Sequence, residues 1–112
     1  MPQLSLGDVG TQLVLLGRPR ADSSPMLMGI TMVRPGQTSP LIEHDTAEIC
    51  YVLVGSGWIV TNRSEHPFAP GDAILIEARG WHAIRAGEDQ VRMLYVFPTP
   101  DTPPTRTTGP RT

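Results

Sequence analysis

The chain has no lysine; all nine of its basic side chains are arginine. That absence removes Schiff-base chemistry, a pyridoxal phosphate anchor and a P-loop from the chain's own resources. An anion would have to be held by arginine, by backbone N–H groups or by a metal. Cysteine is nearly as scarce. Cys50 stands alone, so no internal disulfide forms, and a reducing cytoplasm is the simplest setting. A formal net charge of −2 gives no electrostatic case for nucleic acid or an anionic membrane as partner. No apolar run reaches the roughly 18 residues of a membrane span. The N-terminus also lacks the charged-then-apolar pattern of a signal peptide.

What the chain does contain is turns. Twelve prolines and 11 glycines in 112 residues, with 39% apolar residues, suit one small β-rich domain. Short β-type runs recur between them: Thr11–Gly17, Met26–Val33, Ala47–Val54, Trp58–Thr61, Ala73–Glu77, Trp81–Arg85 and Val91–Phe97. Arg34-Pro35-Gly36, Gly55-Ser56-Gly57 and Pro70-Gly71-Asp72 punctuate them. No window carries a helical period over three turns. Many short strands at near-regular spacing predict an all-β sandwich or barrel, and closure best hides the strand edges. Pro19–Pro25 reads as a polar loop, and Arg63–Pro67 as a turn-like stretch with His66 facing solvent. The domain is expected to span residues 1–97. Residues 98–112 are mostly Pro, Thr and Arg and are expected to form a flexible or surface-draped tail. A lid over the barrel mouth, or an arm onto a second subunit, would be its functional use.

Three side chains stand out as candidate metal ligands: His44, Glu48 and His82. Two neutral imidazoles and one carboxylate leave coordination positions open, as in a catalytic rather than a purely structural metal site. Even spacing puts Ile42, His44, Glu48, Cys50 and Val52 on one strand face. Alternatively, Asp45-Thr46-Ala47 turns the chain, and His44 and Glu48 face each other from neighbouring strands. His82 belongs to a separate run and has to arrive by pairing in space. Cys50 shares the parity of Glu48 and is a possible pocket-lining residue, as is Ile42. Tyr51 and Tyr95 are candidate proton donors whose commoner role is packing.

The spacing of these residues resembles the cupin superfamily. The first cupin motif is Gly, five residues, His-x-His, three or four residues, Glu, six residues, Gly. Here Gly36 is followed by five residues, Ile42-Glu43-His44, three residues, Glu48, six residues and Gly55. The second motif is Gly, five residues, Pro-x-Gly, two residues, His, three residues, Asn. This chain has Gly71, five residues, Glu77-Ala78-Arg79, two residues, His82, three residues and Ala86. The first motif histidine is thus Ile42, and Gly80 is the glycine available to supply the displaced turn of the second.

The resemblance implies a double-stranded β-helix, the jelly-roll barrel of cupins, with one divalent metal on His44, Glu48 and His82. It also implies a homodimer, since small cupins commonly pair. The surviving ligand pattern is similar to the two-His-one-carboxylate iron site of the hydroxypropylphosphonate epoxidase branch. It is similar in part to ectoine synthase, a cyclising cupin without the usual ligand set. The expected function is therefore a metal-dependent enzyme acting on a small polar organic molecule. An Fe(II) oxygenase-type oxidoreductase is favoured, with Zn, Mn or Ni as other possible metals. The alternatives are a non-redox isomerase, cyclase or lyase, a non-catalytic small-molecule-binding module, and a metal-free relic.

Overall fold

The computed structural model describes residues 3–5, 10–17, 25–99, 103 and 105–107. Among these the chain is all strand: β1 (Gln3–Ser5), β2 (Gly10–Leu16), β3 (Leu27–Val33), β4 (Ile42–His44), β5 (Glu48–Val54), β6 (Gly57–Val60), β7 (Glu65–Phe68), β8 (Ala73–Ile76), β9 (Ala83–Ala86), β10 (Val91–Phe97) and β11 (Thr105–Thr107). No helix among the described residues is long and apolar enough to cross a membrane.

Two antiparallel layers form. The first is a six-stranded sheet in the order β1-β2-β3-β10-β5-β8. The second is built from the sheets β7-β6-β9 and β11-β4. Residues 36–42 run antiparallel to residues 82–87, with bridges Thr38↔Arg85 and Ile42↔His82 and backbone bonds from Ser39 to Ile84 and from Ala86 to Gln37. The second layer therefore reads β11-β4-β9-β6-β7. This is the double-stranded β-helix expected from the sequence.

Alternation decides which side chains enter the space between the layers. Along β5, Glu48, Cys50 and Val52 are buried while Ile49, Tyr51 and Leu53 are exposed. Along β10, Val91, Met93, Tyr95 and Phe97 point inward. Residues of the first layer (Val33, Val52, Met93) meet Ile59, Phe68 and Ala86 of the second in one continuous core. Each large aliphatic side chain removed from water there contributes roughly 1.5–3 kcal/mol. Gly29 is required by this packing: a Cβ on it would lie 2.3 Å from the Tyr95 ring, which crosses over β3 at that point.

Four strands, β1, β4, β7 and β11, are not among the runs read in the sequence. β1 and β4 are only three residues long. β7 lies where a turn-like stretch is expected; Glu65–Phe68 instead pairs with β6, Trp58 opposite Pro67. Proline is tolerated because β7 is an edge strand with no further ladder to serve. β11 lies in the tail that was expected to be flexible or surface-draped. Thr105–Thr107 pairs with β4, Arg106 opposite Glu43, and the Arg106 guanidinium bonds both Glu43 and Asp45. The open edge of β4 and two carboxylates supply the partners that the tail sequence lacks by itself. The polar loop Pro19–Pro25, apart from Pro25, and residues 100–102, 104 and 108–112 of the tail lie outside the described residues.

The turn before His82 is also built differently from expectation. Gly80 does not supply the left-handed residue; Arg79 itself adopts φ +63°, at the position where the cupin motif has glycine. The Arg79 N–H donates to the carbonyl of His44 at 2.7 Å, so this turn ties the end of β4 to the approach of β9. Left-handed backbone costs an L-residue roughly 1–2 kcal/mol.

Two predictions test these features. Arg79→Gly raises stability toward thermal unfolding by up to about 1 kcal/mol, the relieved strain being partly offset by a more flexible unfolded chain. Arg79→Val lowers it by about 1–2 kcal/mol, and equal effects from both substitutions would contradict a strained turn. In Arg106→Ala, hydrogen exchange of the β4 amides is faster by about an order of magnitude while β10 is unchanged. Unaltered exchange in β4 would mean that the C-terminal strand does not order it.

Candidate metal centre

The site lies where the two layers meet at one end of the barrel. Of the two geometries open on sequence, the second holds. The chain bends at Asp45 and Thr46, so His44 ends β4 in one layer and Glu48 begins β5 in the other. His82 sits just before β9 and is fixed by two backbone bonds with Ile42, of 2.9 and 2.8 Å. These placements bring the three expected ligands together: one donor atom from each lies within 4.8 Å of the others, and all three residues are buried.

Glu48 Oε1 is 3.4 Å from His82 Nε2 and 3.8 Å from His44 Nε2. It is buried and has no hydrogen-bond partner among the described residues. Leaving a buried acceptor unsatisfied costs about 1–3 kcal/mol, and more for a charged one. The Cys50 thiol hydrogen-bonds the same carboxylate, and burial, followed by the Glu48 charge and that bond, pushes its pKa well up, so it stays a thiol.

Each histidine is held by its own surroundings. His82 Nδ1 lies 2.8 Å from the carbonyl of Gly80, which can only accept, so Nδ1 carries a proton and Nε2 is the ring nitrogen that faces Glu48. Burial lowers the pKa of His44 and His82 adds to this, while Glu48 and Asp45 oppose it. His44 is thereby held neutral at pH 7, its ring edge-on to Phe97 at 4.9 Å between centroids. The two imidazole rings stand 5.4 Å apart.

The other sequence candidates are placed differently. A cavity of about 540 Å³ opens beside His82, and neither Ile42 nor Cys50 lines it. Ile42 is half-buried on β4, and Cys50 belongs to the core. Tyr51 is exposed on the outer face. Tyr95 is interior; burial, then the Glu48 charge, raise its pKa to about 12, and its ring packs over Gly29. The Gly80 carbonyl, Phe97 and the Glu43–Arg106 pair escaped notice on sequence. A backbone acceptor and a tail strand leave no signature in side-chain type.

Known proteins agree with this architecture. The cupin domain profile matches residues 29–97. No curated protein sequence matches the chain. Among solved structures, the polyketide cyclase RemF from Streptomyces resistomycificus superposes with a TM-score of 0.80 at 23% identity, over 96% of this chain and 77% of that one. The DMSP lyase DddQ from Ruegeria pomeroyi DSS-3 gives 0.80 at 18% identity, over 94% of this chain and 54% of the lyase. The oxalate decarboxylase OxdC from Bacillus subtilis, as its S161A mutant, gives 0.83 at 16% identity, over 96% of this chain and 30% of the decarboxylase. At these identities the likeness is one of fold. The profile match, by contrast, spans more than half the chain and contains the strands that carry His44, Glu48 and the approach to His82: the chain belongs to the cupin domain family.

Proposed function

We propose that this cupin is a metal-dependent enzyme holding one divalent transition metal through His44, Glu48 and His82. The observation that carries the proposal is Glu48 Oε1, a buried acceptor without a hydrogen-bond partner, facing two imidazole nitrogens. A cation at that point answers the cost of burying the carboxylate and uses both lone pairs. The N/O donor set suits Fe(II), Mn(II), Ni(II) or Zn(II), and three protein ligands leave positions for a small molecule. When bound, such an ion supplies Lewis-acid polarisation or, as iron, a partner for dioxygen.

The chain's own residues then have distinct tasks. The Gly80 carbonyl fixes the tautomer of His82, Phe97 sets the ring of His44, and Cys50 holds Glu48. Tyr95 remains a phenol at neutral pH and packs rather than acting as a base.

Of the finer readings, non-redox chemistry, a lyase or cyclase step, takes first place. The similar structures include a polyketide cyclase, a DMSP lyase and an oxalate decarboxylase, and we carry the first two activity classes over by analogy. Oxygen-dependent oxidation on Fe(II), favoured on sequence, is the second reading; its support is the two-His-one-carboxylate set.

Protein purified without chelator is expected to hold near-stoichiometric metal. His82→Ala loses it, and Cys50→Ala, which removes no ligand but takes away the thiol bonded to Glu48, weakens binding by about tenfold. Wild-type protein that neither retains nor takes up Fe, Mn, Ni or Zn would sink the proposal. The two chemistries separate in an oxygen electrode with the Fe(II)- and Zn-loaded forms. Turnover of a substrate under strict anaerobiosis supports the lyase or cyclase reading, whereas oxygen consumed in step with product replaces it by the oxygenase.

A further inference from the structure

The cavity beside His82 has a chemical character that the ligand set alone does not reveal. It lies between the edge strands of the two layers, β7 and β8, and is walled by Ile59, Phe68, Ile74, Ile76 and Trp81. Ile76 is the register partner of Glu48, and His82 itself is part of the wall, so the cavity runs up to the ligand cluster. Its charged groups are acidic: Asp72 and Glu77 line it, and no arginine among the described residues does. The chain has no lysine to reach in from elsewhere. The ring of His66, also in the wall, is engaged by the Ser64 hydroxyl at 2.8 Å.

At about 540 Å³ the space falls in the range that takes a drug-sized organic molecule rather than water or a small inorganic anion. A carboxylate or phosphonate entering it would leave water for an apolar wall with a negative rim and no cationic partner, which is costly. An apolar body loses nothing by the same transfer and stacks on Trp81 and Phe68.

We propose that this cavity binds a largely apolar, non-anionic small molecule, admitted between β7 and β8, with its polar end directed toward His82. This narrows the small polar substrate expected from sequence to one whose polarity is confined to one end. The direction of the polar end rests on the proposed metal centre; the apolar, non-anionic character rests on the cavity wall alone.

The test is a matched series on one ring system: 2-naphthylmethanol (neutral), 2-naphthylmethylamine (cationic at pH 7) and 2-naphthoate (anionic). Trp81 lines the cavity and Trp58 does not, so Trp58→Phe protein leaves a single reporter fluorophore in the wall. Titrations are run on metal-free and Zn-loaded protein, with metal content measured separately. The neutral and cationic probes are expected to change Trp81 fluorescence in both forms and, in the metal-free form, to bind at least about tenfold more tightly than 2-naphthoate. Glu77 is exposed, so Glu77→Arg leaves the fold intact and reduces the preference for amine over carboxylate by about tenfold.

Equal or tighter binding of 2-naphthoate to the metal-free protein overturns the inference, as does an absence of any Trp81 response to the neutral probe. Probe binding by a protein that takes up no metal leaves the cavity assignment standing and removes the metal centre. Metal uptake with no probe response does the reverse.

Discussion

A carboxylate inside an apolar barrel is the constraint on which the rest of this structure depends. Glu48 begins β5, on a strand face that continues with Cys50 and Val52. An apolar residue there would pack at no electrostatic cost. The Cys50 thiol offers one weak donor, which is too little to offset desolvation of a charge. What remains is the pair of imidazoles across the interior. Because they belong to the opposite layer, balancing Glu48 also pins the two layers at one end of the barrel. The centre is therefore a feature of the fold as much as of the chemistry.

The opposing histidines are placed by backbone rather than by side-chain contacts. Ile42 and His82 exchange both backbone hydrogen bonds, and Arg79 bonds the carbonyl of His44. These three links hold His44 and His82 in register whatever side chain position 42 carries. That explains how the first motif histidine can be replaced by Ile42 without disturbing its neighbours: the position keeps its structural task and gives up only a donor. The same logic applies to Arg79, which has lost the motif glycine but kept its left-handed conformation. Both departures preserve geometry and change chemistry. A fourth ligand would have closed one more coordination position, so its absence would leave more of a bound metal to a small molecule.

The parts of the fold visible in the sequence were those whose burial is set by their own residues. β3, β5 and β10 are seven-residue runs rich in apolar and β-type residues between turn signals, and their limits fell close to those read from pattern and turns. β4, β7 and β11 are short and lie toward the margin of the second layer, where a partner's exposed backbone decides pairing and side-chain period says little. For β11 the partner is a three-residue strand some 60 residues away, and the deciding contacts are two carboxylates on Arg106. The ligands were legible for the opposite reason: His44, Glu48 and His82 are chemically unusual in strands, and their spacing is that of a known pair of motifs. What spacing left open was the layer each occupies, because a bend at Asp45–Thr46 and a continuous strand both satisfy it.

The missing lysine and the three-ligand centre bear on one another. An enzyme that recognises anions with its own side chains needs a cation at the rim, and here the cavity rim is acidic. The only strong positive charge such a site would present is the metal itself. Recognition by the metal alone is indifferent to the rest of the molecule, so selectivity falls to the wall of Ile59, Phe68, Ile74 and Trp81. That wall measures shape and apolar area, which discriminate by about 1–3 kcal/mol per methylene-sized difference. A centre of this kind would tolerate varied apolar bodies while demanding one coordinating end, and the acidic rim would turn away molecules that carry an anionic group.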